Sequence, residues 1–308
     1  MTSPPEVGAL VVMVDWSAAA KPKPPRPSPD ACWLAHGIFG QPRRPPPVYF
    51  RTRQDCVAHL RQQLVDHDGP ALVGFDFSLG YPQAPDGSEL IPGGRAGALA
   101  LAEVIEDTPT SNNRFAVASD LNRALAARLK DEHGPFWGCP AAAVTPDLPP
   151  TKPPTSAPEW RRVESSLRAA GHRPHPVWKL FTTGSVGSQT LLGLAAIGRL
   201  LADAEVGPRL QLWPFDAGFR RPRGQKTVVI AEVWPSLMPL APVGNGVPDI
   251  KDARQVAALR NAAIAASDPW AALERPQRLS QTDAQQARAE GWILGLPRPI
   301  GPSAEARS

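Results

Sequence analysis

Residues 9–18 read ALVVMVDWSA, a short apolar run that ends on the carboxylate of Asp15. The β-branched valines in this run predict a strand that is buried on both faces. A carboxylate at the end of such a strand is costly to keep ionised unless it meets a metal ion, a basic side chain or water. Residues 71–77, ALVGFDF, repeat the pattern and bring in Asp76. The sequence therefore predicts two buried strands, each with an aspartate at its end.

Two further strands and a helix are predicted between these runs. The strands are residues 31–39, ACWLAHGIF, and residues 47–51, PVYFR, which are separated by Gly and Pro turn signals. Thr52 and Asp55 form a capping-box-like start for a helix that runs to about Asp66. Because a helix between strands allows a parallel crossover, the Asp76 strand can lie beside the Asp15 strand.

The middle of the chain has helical patterns at residues 96–106, 114–130 and 188–204, and a Pro-rich stretch at residues 140–158. We interpret residues 86–207 as a largely helical insertion or cap. Residues 1–85 and 208–295 then form an α/β core, and residues 296–308 form a tail.

The last part of the core returns to strand patterns at residues 210–213 and 227–233, the second of which contains Glu232. A helix is predicted from Ile250 to Ala266, with Asp249 as its cap. Asp252 falls on the apolar face of this helix, which makes it a third unusual carboxylate.

The composition indicates a folded protein, because 42% of the 308 residues are apolar and 20% are charged. The net charge of +4 allows a phosphate-bearing partner, but the basic residues are scattered in sequence, and a solvated arginine surface is the favoured explanation. The three cysteines form no CxxC pair, which argues against a disulfide framework or a thiolate zinc site. With no signal-peptide pattern and no long apolar run, we predict a cytoplasmic protein that does not bind membranes.

Five segments of this chain resemble a known family: VDWSA, GFDFSLGYP, AEVWPSL, KDARQVAAL and EGWILG, which begin at residues 14, 74, 231, 251 and 290. They are similar to segments of the uncharacterised "domain of unknown function 429" family, a predicted nuclease family of the RNase H-like superfamily. The resemblance implies an RNase H-like mixed sheet with helices on both faces, in which the first and fourth strands are adjacent and parallel. It also implies an acidic cluster of Asp15, Asp76 and Asp252, with Glu232 as a further candidate. Relatives with similar insertion segments often carry labels tied to molybdopterin or cobalamin biosynthesis.

The three aspartates would form a hard-oxygen site suited to Mg²⁺ or Mn²⁺, and such a site can hydrolyse a phosphodiester. We therefore predict Asp15, Asp76, Asp252 and Glu232 as catalytic residues, and the three aspartates as metal ligands. The substrate would be nucleic acid, a small phosphodiester or a nucleotide. The structural alternative is that the strand-end aspartates accept backbone hydrogen bonds and that Asp252 only favours its helix N-terminus.

A second candidate is the turn TGSVGS at residues 183–188, before a strong helical pattern. Gly184, Ser185, Gly187 and Ser188 could bring backbone N–H groups close to a phosphate, as in a nucleotide-handling protein. No Lys-Ser or Lys-Thr follows Gly187, so the turn is not a Walker loop. A plain helix cap at Ser185 or Ser188 explains the same residues, and a non-catalytic binding module is a third alternative for the chain.

Overall fold

The computed structural model describes residues 8–276 and 279–296. These residues form an α/β fold with one six-stranded sheet. The strands are β1 (Leu10–Asp15), β2 (Cys32–Ile38), β3 (Val48–Phe50), β4 (Ala71–Phe75), β5 (Leu210–Leu212) and β6 (Val228–Glu232). The helices are α1 (Arg53–Asp66), α2 (Gly94–Val104), α3 (Arg114–Leu129), α4 (Arg162–Ala169), α5 (Gly187–Leu201), α6 (Lys251–Ala265) and α7 (Gln281–Glu290). The predicted tail at residues 296–308 lies outside the described residues, apart from Leu296.

The strand order across the sheet is β3-β2-β1-β4-β6-β5. β1, β2 and β3 are joined by antiparallel pairs, whereas β4 runs parallel to β1, β6 parallel to β4 and β5 parallel to β6. The expected adjacency of the first and fourth strands is therefore confirmed. Its physical basis is helix α1, which carries the chain back across the sheet so that β4 can enter in the same direction as β1.

Helices cover both faces of the sheet, as predicted. Alternate residues of β1 face opposite sides: Val12 and Val14 join the apolar cluster that contains α1 and α5, whereas Val11 and Met13 join the one that contains α6. Helix α5, which falls in the predicted insertion, contributes Leu191 and Leu194 to the same cluster as the strands. The insertion therefore packs directly on the sheet through this helix.

Most predicted elements agree with the structure within a few residues, and two details differ. Thr52 caps α1 as predicted, because its side chain accepts a hydrogen bond from the Asp55 N–H. The expected cap of α6 by Asp249 is wrong: Ile250 is the N-cap, and the Asp249 carboxylate pairs with Arg254 instead. Helix α4 was not predicted, because it is short and follows the Pro-rich stretch directly. Across the described part of the chain, no helix is long and apolar enough to span a membrane.

Candidate active site

Asp15 and Asp76 meet at one edge of the sheet, and we call them the acid pair. Asp15 ends β1 and Asp76 follows β4, and the register places Val14 beside Phe75, so the two aspartates emerge next to each other. Their carboxyl groups lie close enough to influence each other's pKa. The Asp76 Oδ1 atom also accepts a hydrogen bond from the backbone N–H of Trp16 at 2.8 Å. The parallel strands therefore bring together the two residues that the sequence singled out.

The acid pair holds its protons more tightly than ordinary aspartates do. Burial, followed by the neighbouring charges of Asp76 and Asp252, raises the pKa of Asp15 well above the usual range. Burial also raises the pKa of Asp76 to about 7, although its hydrogen bond from Trp16 opposes the rise. Two carboxylates in contact cannot both ionise easily without a cation. The acid pair is therefore poised to exchange a proton near neutral pH.

Aromatic packing fixes the two strand ends that carry the acid pair. The residues that follow the aspartates, Trp16 and Phe77, place their rings 5.7 Å apart between centroids. Gly193 of α5 presses against Phe77, since a Cβ atom added at this glycine would lie 2.2 Å from the phenyl ring. A larger residue at this point of α5 would push on the segment that holds Asp76.

Asp252 is positioned beside the acid pair by a loop residue that sequence reasoning missed. Asp252 lies in the first turn of α6, and its charge contributes to the raised pKa values of Asp15 and Asp76. The Asp252 Oδ2 atom accepts the backbone N–H of Asp30 at 2.7 Å. The Asp30 carbonyl in turn accepts the Ser17 hydroxyl at 2.7 Å. Asp30, with φ of 54°, thus joins the loop after β1 to helix α6 through its main chain. Because the contact uses main-chain atoms, no pattern of side chains in the sequence indicates it.

Glu232 lies at the same edge of the sheet but has a different partner. It is the last residue of β6 and pairs with Phe75, one position before Asp76. Arg161, which is fully buried, donates to both Glu232 oxygens at 2.7 and 2.8 Å. Burial raises the pKa of Glu232, and the guanidinium of Arg161 opposes that rise. Glu232 is therefore held in a buried ion pair and does not join the acid pair.

Arg161 connects three parts of the chain at this point. Its Nε atom donates to both oxygens of Glu164 in α4, at 2.9 and 3.1 Å, and its Nη1 atom donates to the main-chain carbonyl of Glu290 in α7, at 3.2 Å. We call Arg161, Glu164 and Glu232 the arginine network. The guanidinium of Arg161 is thus occupied by protein carboxylates.

A cavity of about 280 Å³ opens beside these groups. Asp76, Glu164 and Glu232 line it, whereas Asp15 and Asp252 are not among its lining residues. Its wall also includes polar side chains that can contact a ligand: Ser78, His175, Gln189, Ser236, Lys251 and Gln255. Asp76 is therefore the member of the acid pair that faces the cavity.

The predicted phosphate turn contributes to this cavity through only two of its four residues. Gly184 and Ser185 line the wall. The N–H of Gly187 donates to the Lys179 carbonyl at 2.9 Å, and the Ser188 hydroxyl donates to the Leu180 carbonyl at 2.6 Å. Gly187 and Ser188 therefore build the start of α5, where the Gly187 N–H and the Ser188 hydroxyl already have protein partners.

The acid pair has the right chemistry for Mg²⁺ or Mn²⁺, because these ions prefer carboxylate oxygens. No group of three or more His, Cys, Asp or Glu side chains within residues 8–276 and 279–296 is arranged as a metal site. Mg²⁺ does not need such a cage, since it commonly binds one or two carboxylates, keeps several waters and completes its shell with substrate phosphate. Asp15 and Asp76, once deprotonated, fit this requirement, with Asp252 as a nearby third carboxylate.

Comparison of the chain with protein-family models, with curated proteins and with solved structures gives no match.

Proposed function

We propose that this protein is an RNase H-like phosphodiesterase or nuclease that depends on Mg²⁺ or Mn²⁺. The observation that carries the proposal is the acid pair: two carboxylates from adjacent parallel strands that influence each other's pKa, with Asp76 facing a cavity. The sheet order, the nearby Asp252 on the late helix α6 and the resemblance in sequence support an RNase H-like fold.

The residues around the cavity have distinct roles in this proposal. Asp15 and Asp76 would hold the ion, which when bound would activate a water and stabilise charge on the phosphodiester. The Asp76 carboxyl has a pKa of about 7 without metal, so it would have to lose its proton before it binds the ion. Lys251 on the cavity wall supplies a cation for a phosphate oxygen. Asp252, held by the Asp30 N–H, would orient a water or act as a further ligand.

Hydrolysis assays of Asp15→Asn and Asp76→Asn test the proposal. We expect the unsubstituted protein to hydrolyse DNA, RNA or the small diester bis(p-nitrophenyl) phosphate with Mg²⁺ or Mn²⁺. Each substitution should lower the rate by roughly 10²–10⁴-fold. Asp249→Asn is the matched control, because Asp249 is exposed and pairs with Arg254 outside the site. Equal rates in all variants, or no metal-dependent hydrolysis by the unsubstituted protein, would contradict the proposal.

A second candidate function is non-catalytic binding of a nucleotide or another phosphate compound in the same cavity. It is favoured by Gly184 and Ser185, which share the cavity with Asp76. Native mass spectrometry of the purified protein separates the two functions. A retained nucleotide or pterin that survives Asp76→Asn, together with absent hydrolysis, would favour binding over catalysis.

A further inference from the structure

A second cavity, of about 330 Å³, lies between the segment that joins β5 to β6 and the last turn of α7. Four arginines line it: Arg220, Arg221 and Arg223 from the segment, and Arg288 from the helix. We call these four residues and the cavity between them the arginine cleft. Arg288 is 65 or more residues away from the others in sequence, so only the fold reveals the cluster.

Three of the four guanidinium groups of the arginine cleft form no ion pair with a carboxylate of the described residues. Arg221 is neutralised, because it pairs with Asp268 and with Glu274, the latter at 2.7 Å. Arg220, Arg223 and Arg288 have no ion pair with any carboxylate in residues 8–276 and 279–296, and all three side chains are exposed.

One carboxylate does line the cleft, but it has other partners. The Asp216 Oδ2 atom accepts the backbone N–H of Leu212 at 2.9 Å and lies 3.5 Å from the Nη2 atom of Arg95. Asp216 therefore offsets only part of the cleft's charge, and three guanidinium groups remain available to a ligand.

The three unpaired guanidinium groups of the arginine cleft favour phosphate as a ligand. A guanidinium is planar and donates two parallel hydrogen bonds, which matches the oxygens of a phosphate group. Like charges gathered around one cavity repel each other, and an anion bound between them removes that repulsion. A cavity of about 330 Å³ with three free guanidinium groups has room for more than one phosphate. Consecutive phosphates at short intervals are the repeating feature of a nucleic-acid strand.

The arginine cleft adjoins the candidate active site through the end of α7. Arg288 lies two residues before Glu290, whose main-chain carbonyl accepts a hydrogen bond from Arg161 at 3.2 Å. Arg161 in turn holds Glu232, which lines the cavity that Asp76 faces. The end of α7 therefore connects the cleft, through Arg161 and Glu232, to the cavity that Asp76 faces.

We propose that the arginine cleft binds the phosphate backbone of a nucleic-acid strand and guides that strand toward the acid pair. The role of the strand as a substrate rests on the proposed function. The binding of the strand to the cleft does not, so the two statements can fail separately.

Fluorescence anisotropy of a labelled 20-nucleotide single-stranded DNA tests the cleft directly. The full-length protein is titrated in EDTA, so that hydrolysis plays no part, and the titration is repeated at several salt concentrations. We expect Arg220→Gln/Arg223→Gln to weaken binding by roughly tenfold and to reduce the salt slope by about 1.4, because each lost phosphate contact on a single strand removes about 0.7. Arg288→Gln should reduce the slope by about half as much.

A charge-matched control is Arg43→Gln/Lys130→Gln. Both residues are exposed and have no ion pair with a described carboxylate, and neither lines the cleft. We expect this variant to bind within about twofold of the unsubstituted protein, since isolated surface charges contribute little. Circular dichroism of each variant checks that the fold is retained.

Several outcomes would overturn the assignment of the cleft. One is an equal loss of binding in the cleft variant and the control. Another is binding of inorganic pyrophosphate as tight as that of the strand, which would indicate a small phosphate ligand. A third is tighter binding to phosphatidylserine vesicles than to the DNA, which would indicate a membrane surface.

Hydrolysis by the same variants distinguishes this inference from the proposed function. If cleft variants lose binding while Asp15→Asn leaves hydrolysis unchanged, the cleft assignment stands and the proposed function fails. If hydrolysis depends on Asp15 but the cleft variants bind normally, the proposed function stands and the cleft assignment fails.

Discussion

At the scale of single residues, the acid pair shows how burial raises the pKa of two ordinary carboxyl groups. Asp15 and Asp76 would be ionised above about pH 4 in an unfolded chain. In the fold, burial raises the pKa of both groups, and for Asp76 it reaches about 7. Asp15 also experiences the charges of Asp76 and Asp252, which favour its protonated form.

These pKa shifts predict how stability depends on pH. Between about pH 4 and pH 7 the folded protein binds more protons at the acid pair than the unfolded chain does, so the free energy of unfolding falls as pH rises. The contribution of the pair is fully present below pH 4 and is lost as pH rises through about 7. Asp76→Asn resembles the protonated state, because its amide oxygen can still accept from Trp16 and its NH₂ group can donate to Asp15. We expect this variant to unfold at higher urea concentration than the unsubstituted protein at pH 8 without metal.

Urea denaturation at pH 5 is the internal control for this prediction. At that pH Asp76 already carries its proton, so the stability difference between the two proteins should shrink toward zero. An Asp76→Asn variant that is less stable at pH 8, or one whose difference does not change with pH, would contradict the raised pKa.

Asp30 marks the limit of what residue patterns can show. The strand-end positions of Asp15 and Asp76 follow from the apolar runs that precede them. Asp30 holds Asp252 through its backbone N–H, so its side-chain identity does not reveal this role. Such a contact depends on where a loop crosses the start of a distant helix, and it becomes visible only in the fold.

At the scale of elements, side-chain alternation gives Glu232 a different partner from the three aspartates, although Glu232 and Asp76 line one cavity. Along β1, the side chain of Asp15 points to the same face of the sheet as those of Val11 and Met13. This is the face that α6 covers, and Asp252 lies in α6. Glu232 follows Val228 and Ile230 in β6, on the opposite face. Its carboxylate therefore meets Arg161, although both strands end at the same edge.

The arginine network predicts a large loss of stability when its cation is removed. In Arg161→Gln, Glu164 and Glu232 would be left buried without their partner, which typically costs 3–5 kcal/mol. Arg162→Gln is the matched control, because the neighbouring Arg162 pairs with Asp283 in a partly exposed position and should cost about 0–1 kcal/mol. The free energy of unfolding in urea measures both.

A second substitution tests the cause of that loss. Adding Glu164→Gln to Arg161→Gln removes one of the two stranded carboxylates and should restore part of the stability. Similar losses in Arg161→Gln and Arg162→Gln would show that the buried network does not hold α4, β6 and α7 together.

The sequence could not predict the arginine network because of the position of Arg161 and the short length of α4. Arg161 is 71 residues from Glu232 and directly follows a Pro-rich stretch, where no helical or strand periodicity indicates burial. Helix α4 is also too short, at eight residues, to give a clear apolar pattern. The longer helices α1, α3, α5 and α6 had such patterns, and their predicted ranges agree closely with the structure.

At the scale of the whole molecule, the fold gathers charges that are scattered along the sequence. The net charge of +4 gives no hint of a binding surface by itself. In the structure, Arg220 and Arg223 meet Arg288 at one cleft, and Asp15 meets Asp76 at the edge of the sheet. These two groups of residues are the basis of the proposed function and of the proposal for the arginine cleft.

The sheet order could be anticipated only in part. The helix between the third and fourth strands made a parallel crossover possible, and the resemblance to the RNase H-like family supplied the adjacency of β1 and β4. The position of β6 between β4 and β5 could not be read from the residues, because short apolar strands carry no information about their neighbours.

Calorimetric titration with Mn²⁺ at pH 8 tests most directly whether the acid pair is a metal-binding centre. We predict binding by the unsubstituted protein and by Asp249→Asn, and little or none by Asp15→Asn and Asp76→Asn. At pH 6 the affinity should be at least about tenfold weaker, because the ion must displace a proton from Asp76, whose pKa is about 7, and the pKa of Asp15 is raised as well. No binding at millimolar Mn²⁺, or equal binding by all four proteins, would contradict the account.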